Sequence, residues 1–504
     1  MVAWLAKTAK RYHFWLGLIL LAAILRAPLL LGLGSLWNDE AFSRHFALLP
    51  IKDALRYLTM DVHPPLHTVV LHVWMRAFGD SVLALRSLTF VFAVAGLAVF
   101  LKLARELFGR REAILAGALA VFSPLLVYYG ADARMYAMLF FLACLSSLLF
   151  WRMVEGDERV KEAWMWVSLA LALTHMTGAM VLAGQALFLL VSAERRHLFR
   201  TLFWRFLAIA LVLAVWLVPA ATFRLSSLSK EWQFRSGQED LHASLSLLYW
   251  IWLGKNKAQL AIAFAVTGLL MLGGILRKSE RRPYFNISRE SAFLFSWFAC
   301  AFAPFLVFPN VTPRYLIAAV PPFFLLLARG FLKVAGGRLG ALVFGIAIVL
   351  FLSLPGLAAQ YATRSYDWDR VAEWIAERRR PGDRVVYGWY ADKLAVDATV
   401  GEGGTGEATY GLYPFDDDLD VHARYSAHAG TLAIAAGDLD RMGPYFDGAE
   451  RVFFIPNFYV TLKDGGKADE AVAGWINARG WFLSERLEPE GRTQGVWLLV
   501  RKEK

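Results

Sequence analysis

The sequence predicts a polytopic α-helical membrane protein with a small α/β domain at its C-terminal end. Three observations lead there. Of 504 residues, 58% are hydrophobic and only 19% charged, with a mean hydropathy of +0.45, too apolar for an ordinary water-soluble protein. Apolar runs near the length of a bilayer span recur through residues 14 to 363. Beyond Tyr361 the balance changes: residues 360–504 hold 18 Lys and Arg against 24 Asp and Glu, net −6, whereas residues 1–359 carry net +17. A basic membrane part with basic loops at a lipid surface, joined to a mildly acidic soluble part, accounts for both numbers. It excludes a soluble multidomain enzyme, a disordered chain and a nucleic-acid-binding module, although the net charge of +11 by itself would suit the last.

The spans follow in order: 14–36, 87–101, 113–131, 135–151, the stretch 163–193, 206–223, 258–276, 291–313, 315–328 and 339–363. The stretch 163–193 has no Asp, Glu, Lys or Arg; it is long for one pass and short for two. Loop charge decides. With two passes turning near His175 to Gly178, the inside segments hold 22 Lys and Arg in 71 residues, against 12 in about 92 outside, as the positive-inside rule requires. A single pass would put Arg195, Arg196, Arg200 and Arg205 outside. The expectation is therefore about eleven transmembrane helices, N-terminus cytoplasmic, C-terminal domain extracytoplasmic. The first helix, flanked by Lys7, Lys10 and Arg11 but without a small-residue cleavage site, reads as a retained anchor. Arg26 within it snorkels or faces the bundle. Cys144 and Cys300 lie in apolar runs and read as packed thiols.

Two outer loops are large. In 37–86, Asp53 to Leu58 and Leu66 to Phe78 read as amphipathic helices in the interface; in 224–257, Trp232, Tyr249, Trp250 and Trp252 are interfacial anchors. Topology alone needs no such loops, so they point to an external site. After residue 360, Asp367 can cap a helix striped with Val371, Trp374 and Ile375 and ended by Pro381-Gly382. Strand patterns follow at Arg384 to Trp389, Arg451 to Ile455 and Val496 to Val500, with a helical pattern at Ala468 to Ala478. The domains are 1–359, transmembrane, and 360–504, soluble α/β. Glycine-rich Gly401 to Glu407 lacks the Lys-Ser/Thr of a phosphate loop and reads as a turn.

Four clusters carry chemistry, and all fall on the outer face. Trp37-Asn38-Asp39-Glu40 places two carboxylates where the first helix leaves the bilayer, suited to a general base; taken alone the pair also reads as a solvated helix cap. Asp61-Val62-His63-Pro64-Pro65-Leu66 gives His63 a fixed direction through its prolines. His63 and His67, four apart, would suit a metal with His72 and Asp39, but Pro64 and Pro65 argue against one regular helix, so a divalent metal is not supported. Tyr128 to Tyr136 brings Asp132, Arg134 and Tyr136 to an outer turn, and arginine suits bidentate phosphate recognition. Thr312-Pro313-Arg314-Tyr315 repeats the cation–aromatic pattern.

These residues resemble bacterial glycosyltransferase family 39 proteins, GT-C fold enzymes similar to protein O-mannosyltransferases and to the lipid A aminoarabinose transferase. The resemblance rests on Asp39-Glu40, His63-Pro64-Pro65-Leu66, Phe78-Gly79-Asp80-Ser81 with Leu85-Arg86, Leu107-Phe108-Gly109-Arg110-Arg111, Ser123-Pro124, Ala133-Arg134-Met135-Tyr136 and Pro313-Arg314-Tyr315-Leu316, in order. It covers most of residues 10–390 and is densest in 37–140. It implies a polyprenyl-phosphate-linked sugar as donor, used at the outer face of a bacterial inner membrane without a cofactor. By matching motif, Asp39 would deprotonate an acceptor hydroxyl, with Glu40 its partner. Arg134 and Arg314, with His63, Tyr136 and Tyr315, would bind donor phosphate and sugar. Asp132 precedes its arginine, whereas eukaryotic O-mannosyltransferases carry the acidic residue after it. The acceptor, whether protein, lipid or glycan, is not named by the sequence. The competing reading is a transporter or flippase of lipid-linked sugars, which would place ionisable residues at mid-membrane and break helices in matched halves.

Overall fold

The computed structural model describes residues 15–59, 63–228, 260–278, 285–307, 313–362, 366–387, 390–400, 408–410, 433–434, 443–456, 461–462, 468–489 and 495–501. Most of the 224–257 loop and the Gly401 to Glu407 turn lie outside the described residues.

Among the described residues six helices are long and apolar enough to cross a membrane: Trp15–Gly32, Val82–Phe108, Tyr136–Val154, Arg196–Pro219, Arg314–Val334 and Leu339–Ala362. The chain is a multi-pass membrane protein. The remaining apolar runs fall on shorter helices, Arg110–Phe122, Lys161–Ala172, Met176–Val191 and Leu260–Ile275, and on the 19-residue helix Arg289–Val307. The uncharged stretch 163–193 thus breaks into two helices, at Leu173 to His175. Large apolar side chains such as Leu20, Val215 and Phe351 face outward, as a lipid-facing girdle requires.

Inside the bundle the helices meet through small residues and a few polar links. A Cβ on Gly184 would lie 2.5 Å from the Cα of Trp297, and one on Gly330 would lie 1.8 Å from the carbonyl oxygen of Leu270, so backbones touch there. Trp164 Nε1 donates to Gln185 Oε1 at 3.0 Å, Gln185 Nε2 donates to Ser146 Oγ at 3.1 Å, and Ser146 and Ser168 hydroxyls lie 2.9 Å apart. This joins three helices through groups that lipid could not satisfy. Gly109, at φ +95°, is the whole turn between Val82–Phe108 and Arg110–Phe122, a backbone conformation that favours glycine.

The segment after the first helix forms Asn38–Leu48, Ile51–Leu58 and Leu66–Phe78. Against these pack helices Trp368–Arg378 and Tyr390–Val400 and one face of a five-stranded sheet. The strand order is Ala408–Tyr410, Arg384–Tyr387, Arg451–Ile455, Val496–Arg501, Trp481–Leu487; the first three are parallel and the last two antiparallel additions. Alternate residues go to opposite faces. Val385, Tyr387, Phe453, Ile455 and Leu498 join a core shared with Leu36, Ala41, Leu71 and Leu85, whereas Val386, Val452, Phe454 and Leu499 pack with helix Ala468–Ala478. Asp367 occupies the N-cap of helix Trp368–Arg378 as expected but makes no side-chain cap. The Ser35 hydroxyl accepts the Asp369 N–H at 3.2 Å instead.

Candidate active site

The site is built around the first turn of helix Asn38–Leu48, and each residue of Trp37-Asn38-Asp39-Glu40 is held by a different partner. Glu40 points inward and is fully buried. Arg86 grips it with Nε to Oε1 at 2.9 Å and Nη2 to Oε2 at 2.7 Å. The Ala133 N–H donates to Oε1 at 2.7 Å and the Trp37 N–H to Oε2 at 3.2 Å. Four donors therefore fill this carboxylate, one of them the helix-capping amide, so the cap expected of the pair is supplied by Glu40. Asp39, one residue earlier, points the other way. Its side chain is 27% exposed, and Oδ2 lies 3.0 Å from Arg314 Nη1. Exposure separates the roles: Asp39 can meet a substrate and Glu40 cannot.

Arg134 is buried behind Asp39. Its Nη1 donates to the Asp39 carbonyl at 3.1 Å and to Ser43 Oγ at 2.8 Å, and Nη2 lies 3.5 Å from His63 Nε2. Arg314 stacks over Trp37 at 5.2 Å and Tyr315 at 5.6 Å. Asp132 accepts the Trp37 indole N–H at 2.7 Å, and its other oxygen has no partner among the described residues. Burial, with Glu40 beside it, pushes its carboxyl above the usual carboxylate range. The Tyr136 hydroxyl is likewise buried with no hydrogen-bond partner among the described residues.

An aromatic wall completes the cleft. The ring of His175 lies 6.0 Å from His63, 5.8 Å from Tyr136 and 5.5 Å from Tyr315. Its Nδ1 accepts the Thr177 N–H at 3.2 Å, which leaves the ring proton on Nε2. Burial, then the cationic neighbours, hold it well below the ordinary histidine range, so it is neutral. Beside the wall, a small pocket is lined by Arg26, Tyr129, Gly130, Tyr136, Phe140 and Ile317 among others. Arg26 faces the bundle, donating to Ala22 and Ala120 carbonyls at 3.1 and 3.3 Å. Gly130 is tight there: a Cβ would lie 2.8 Å from Arg26 Nε.

All eight residues singled out in the sequence thus lie in or beside one site: Asp39, Glu40, His63, Asp132, Arg134, Tyr136, Arg314 and Tyr315. The three histidines do not converge. His63 precedes helix Leu66–Phe78, His67 is buried within it, and His72 Nδ1 contacts the Ala47 carbonyl at 2.7 Å. Burial pushes His67 down to about 3. Among the described residues no three His, Cys, Asp or Glu side chains could hold a metal ion. Sequence reasoning passed over Ser43, and quoted Asn38, His175 and Arg86 without a role in the site. A lone arginine in the apolar run after residue 81 was the available signal for Arg86.

Comparisons with known proteins place this architecture among GT-C-fold membrane proteins. Residues 62–220 match the family model described as dolichyl-phosphate-mannose-protein mannosyltransferase. The resemblance to glycosyltransferase family 39 and the protein O-mannosyltransferases holds. The fold is that of ArnT from Cupriavidus metallidurans, in its apo state (TM-score 0.62, 14% identity, 97% of this chain and 98% of that one) and bound to undecaprenyl phosphate (0.56, 13%, 96% and 98%). The Archaeoglobus fulgidus oligosaccharyltransferase complex with Zn and sulfate is also similar (0.53, 14%, 87% and 68%). No curated protein matches the chain in sequence.

Proposed function

We propose that this protein transfers a monosaccharide from a polyprenyl-phosphate-linked donor to an acceptor hydroxyl at the outer face of the bacterial inner membrane. The observation that carries the reading is Asp39: a partly exposed carboxylate paired with Arg314 at 3.0 Å, its own carbonyl held by Arg134 at 3.1 Å. A base and two cations thereby share one cleft. Asp39 takes the proton of the acceptor hydroxyl, and the resulting oxygen attacks the anomeric carbon. The bond from that carbon to the phosphate oxygen breaks, and its electron pair leaves with the polyprenyl phosphate. Attack opposite the leaving group inverts the anomeric centre. Arg314 and Arg134 neutralise the developing phosphate charge, with His63, Tyr136, Tyr315 and Asp132 around donor and sugar. Glu40, closed off by Arg86, orients the turn. The phosphate is already a good leaving group, and the reading assigns no step to a cofactor.

Eleven passes from a cytoplasmic N-terminus are part of the proposal, with residues 1–359 as the membrane domain and 360–504 as an extracytoplasmic α/β domain. The test is purified protein with a panel of undecaprenyl-phosphate-linked sugars and envelope extract as acceptor source, following released undecaprenyl phosphate. Asp39→Asn should bind undecaprenyl phosphate at least as tightly as wild type and lose roughly 100-fold or more in transfer. Transfer at the wild-type rate by Asp39→Asn would remove the base from this reading.

A further inference from the structure

The residues that deliver Asp39 are gripped from the far end of the chain. Between the first helix and helix Asn38–Leu48, residues 33–37 form no helix of their own, and Gly34 takes φ +77°. Their geometry is set from outside. The Tyr366 N–H donates to the Leu33 carbonyl at 3.3 Å and the Ser35 N–H to the Tyr366 carbonyl at 3.2 Å, a single parallel bridge. Ser35 Oγ donates to Asp369 Oδ1 at 2.8 Å while accepting the Asp369 N–H at 3.2 Å. Tyr366 stacks on Trp37 with ring centres 6.1 Å apart. Asn38 Nδ2 donates to Asp392 Oδ1 at 3.1 Å.

Asp392 sits on helix Tyr390–Val400, is 1% exposed, and has no partner for its second oxygen among the described residues. Around this bond Leu36, Ala41 and Ala47 share one apolar core with Trp368, Val371, Leu394 and Ala395. A buried acid that spends its hydrogen-bonding capacity on one amide is poorly explained as a stability device, since a leucine would fill that space without desolvating a carboxyl. Burial pushes it up to about 8, so at neutral pH it is an uncharged acceptor for Asn38. The amide it holds belongs to the residue next to Asp39, and a misplacement of about 1 Å in a reacting group can lower a rate on the order of 100-fold.

We propose that residues 366–387 and 390–396 are a positioning unit for the catalytic centre, in which Asp392, through Asn38, holds the first turn of helix Asn38–Leu48 so that Asp39 stays in register with Arg314 and Arg134. What Asp39 then does rests on the function proposed above; the grip itself does not. The C-terminal segment is on this view part of the active site. Asp392 is a positioning residue that touches no substrate.

The test is a double-mutant cycle with Asp392→Ala, Asn38→Ala and the pair, assayed on whichever undecaprenyl-phosphate sugar the wild-type protein turns over, together with Asp392→Asn. Each alanine variant should lose about 10-fold or more in kcat with donor KM changed less than about twofold, and the double variant should be no worse than either single one. Asp392→Asn keeps the acceptor oxygen and should restore at least half of the rate. Hydrogen exchange supplies a readout independent of activity: peptides spanning 33–45 should exchange faster in both alanine variants, with peptides from 136–154 unchanged. Unchanged kcat in both, strictly additive losses, or Asp392→Asn as impaired as Asp392→Ala would overturn the proposal. If Asp392→Ala does not fold, Asn38→Ala and Asp392→Asn decide by the same criteria. Should the wild-type protein turn over no donor, the proposed function falls, and exchange at 33–45 alone decides the grip.

Discussion

Arg86→Met should open the 37–86 segment while leaving the helical bundle intact. Arg86 and Glu40 side chains are 1% and 0% exposed, and the guanidinium also donates to the carbonyls of Leu30, Gly34 and Ser35 at 3.3, 2.8 and 3.0 Å. Methionine fills much of the space but removes every donor, leaving a buried carboxylate with two backbone amides and three carbonyls without their partner. Removing one member of a buried pair destabilises by about 3–5 kcal/mol. Glu40→Gln should fall in the same range, because the arginine then lacks a counter-charge. The partly exposed Arg44–Asp80 pair, with side chains 12% and 48% exposed, is the internal control: Asp80→Asn should change stability by less than about 1 kcal/mol. Native-state proteolysis in detergent reads the difference, since cleavage follows the open population when reclosing is fast. Cleavage within 37–86 should accelerate roughly a hundred- to a few thousand-fold in Arg86→Met and Glu40→Gln, at 1.4 kcal/mol per factor of ten. If neither variant is cut faster than Asp80→Asn, the pair does not hold the segment and the account of Glu40 fails.

Other substitutions probe the bundle and the site. Gly184→Val puts atoms where Trp297 Cα lies 2.5 Å from an added Cβ, so the helices must separate; overpacking of this kind destabilises by about 1–3 kcal/mol, and a thermal midpoint equal to wild type would contradict the close approach. Arg134→Lys cannot hold Asp39 and Ser43 while also meeting a phosphate in a plane. Its affinity for undecaprenyl phosphate in a competition assay should drop by about 2 kcal/mol, whereas Ser43→Ala, which loses one hydrogen bond, should lose about 1 kcal/mol. The carboxyl of Asp392 is raised to about 8, so its neutral form is the one the fold favours. Its contribution is full at acid pH and is lost as pH rises toward 8. Relative to Asp392→Asn, wild-type stability should therefore fall between pH 5.5 and 8.5; an unchanged or widening advantage of the wild type over that interval would show that Asp392 is not held neutral.

The apolar helices were legible because their physics is one-dimensional. Run length and loop charge need no partner, so even the ambiguous 163–193 stretch could be divided from arginine placement, and the break falls at Leu173 to His175. The interfacial helix Leu66–Phe78 was bounded to the residue by Pro65 before it and Gly79, at φ +81°, after it. Helix Asn38–Leu48 was not marked as an element, although its cap was visible. Among the later elements, strand Trp481–Leu487 is exposed on all its middle residues and so shows no clean alternation. Helix Tyr390–Val400 was missed because Asp392 and Asp397 sit on its buried side, where sequence reasoning expects apolar residues. That error is informative, since the acid that spoils the pattern is the one that reaches Asn38.

The site was legible as a set of residues and not as a division of labour. Adjacent Asp39 and Glu40 are chemically alike, and sequence alone made them partners in one task. On a helix, neighbours project about 100° apart, so two adjacent carboxylates at its first turn must look in different directions. Which of them is enclosed depends on where Arg86, Ala133 and Arg314 arrive from three distant segments. Once Arg86 and two amides enclose Glu40, its lone pairs are committed and only Asp39 faces the cleft. The same logic applies to the arginines. Arg134 spends one nitrogen on Asp39 and Ser43, and Arg314 is the cation that meets the Asp39 carboxylate directly. On the proposed function, a donor phosphate entering this cleft would draw Arg314 partly away from Asp39 and free the carboxylate for the acceptor proton. Under that proposal donor binding and base activation would be coupled through a single ion pair, and Arg314→Lys, with its shorter reach and one charge centre, should weaken both together where Arg134→Lys weakens mainly the first.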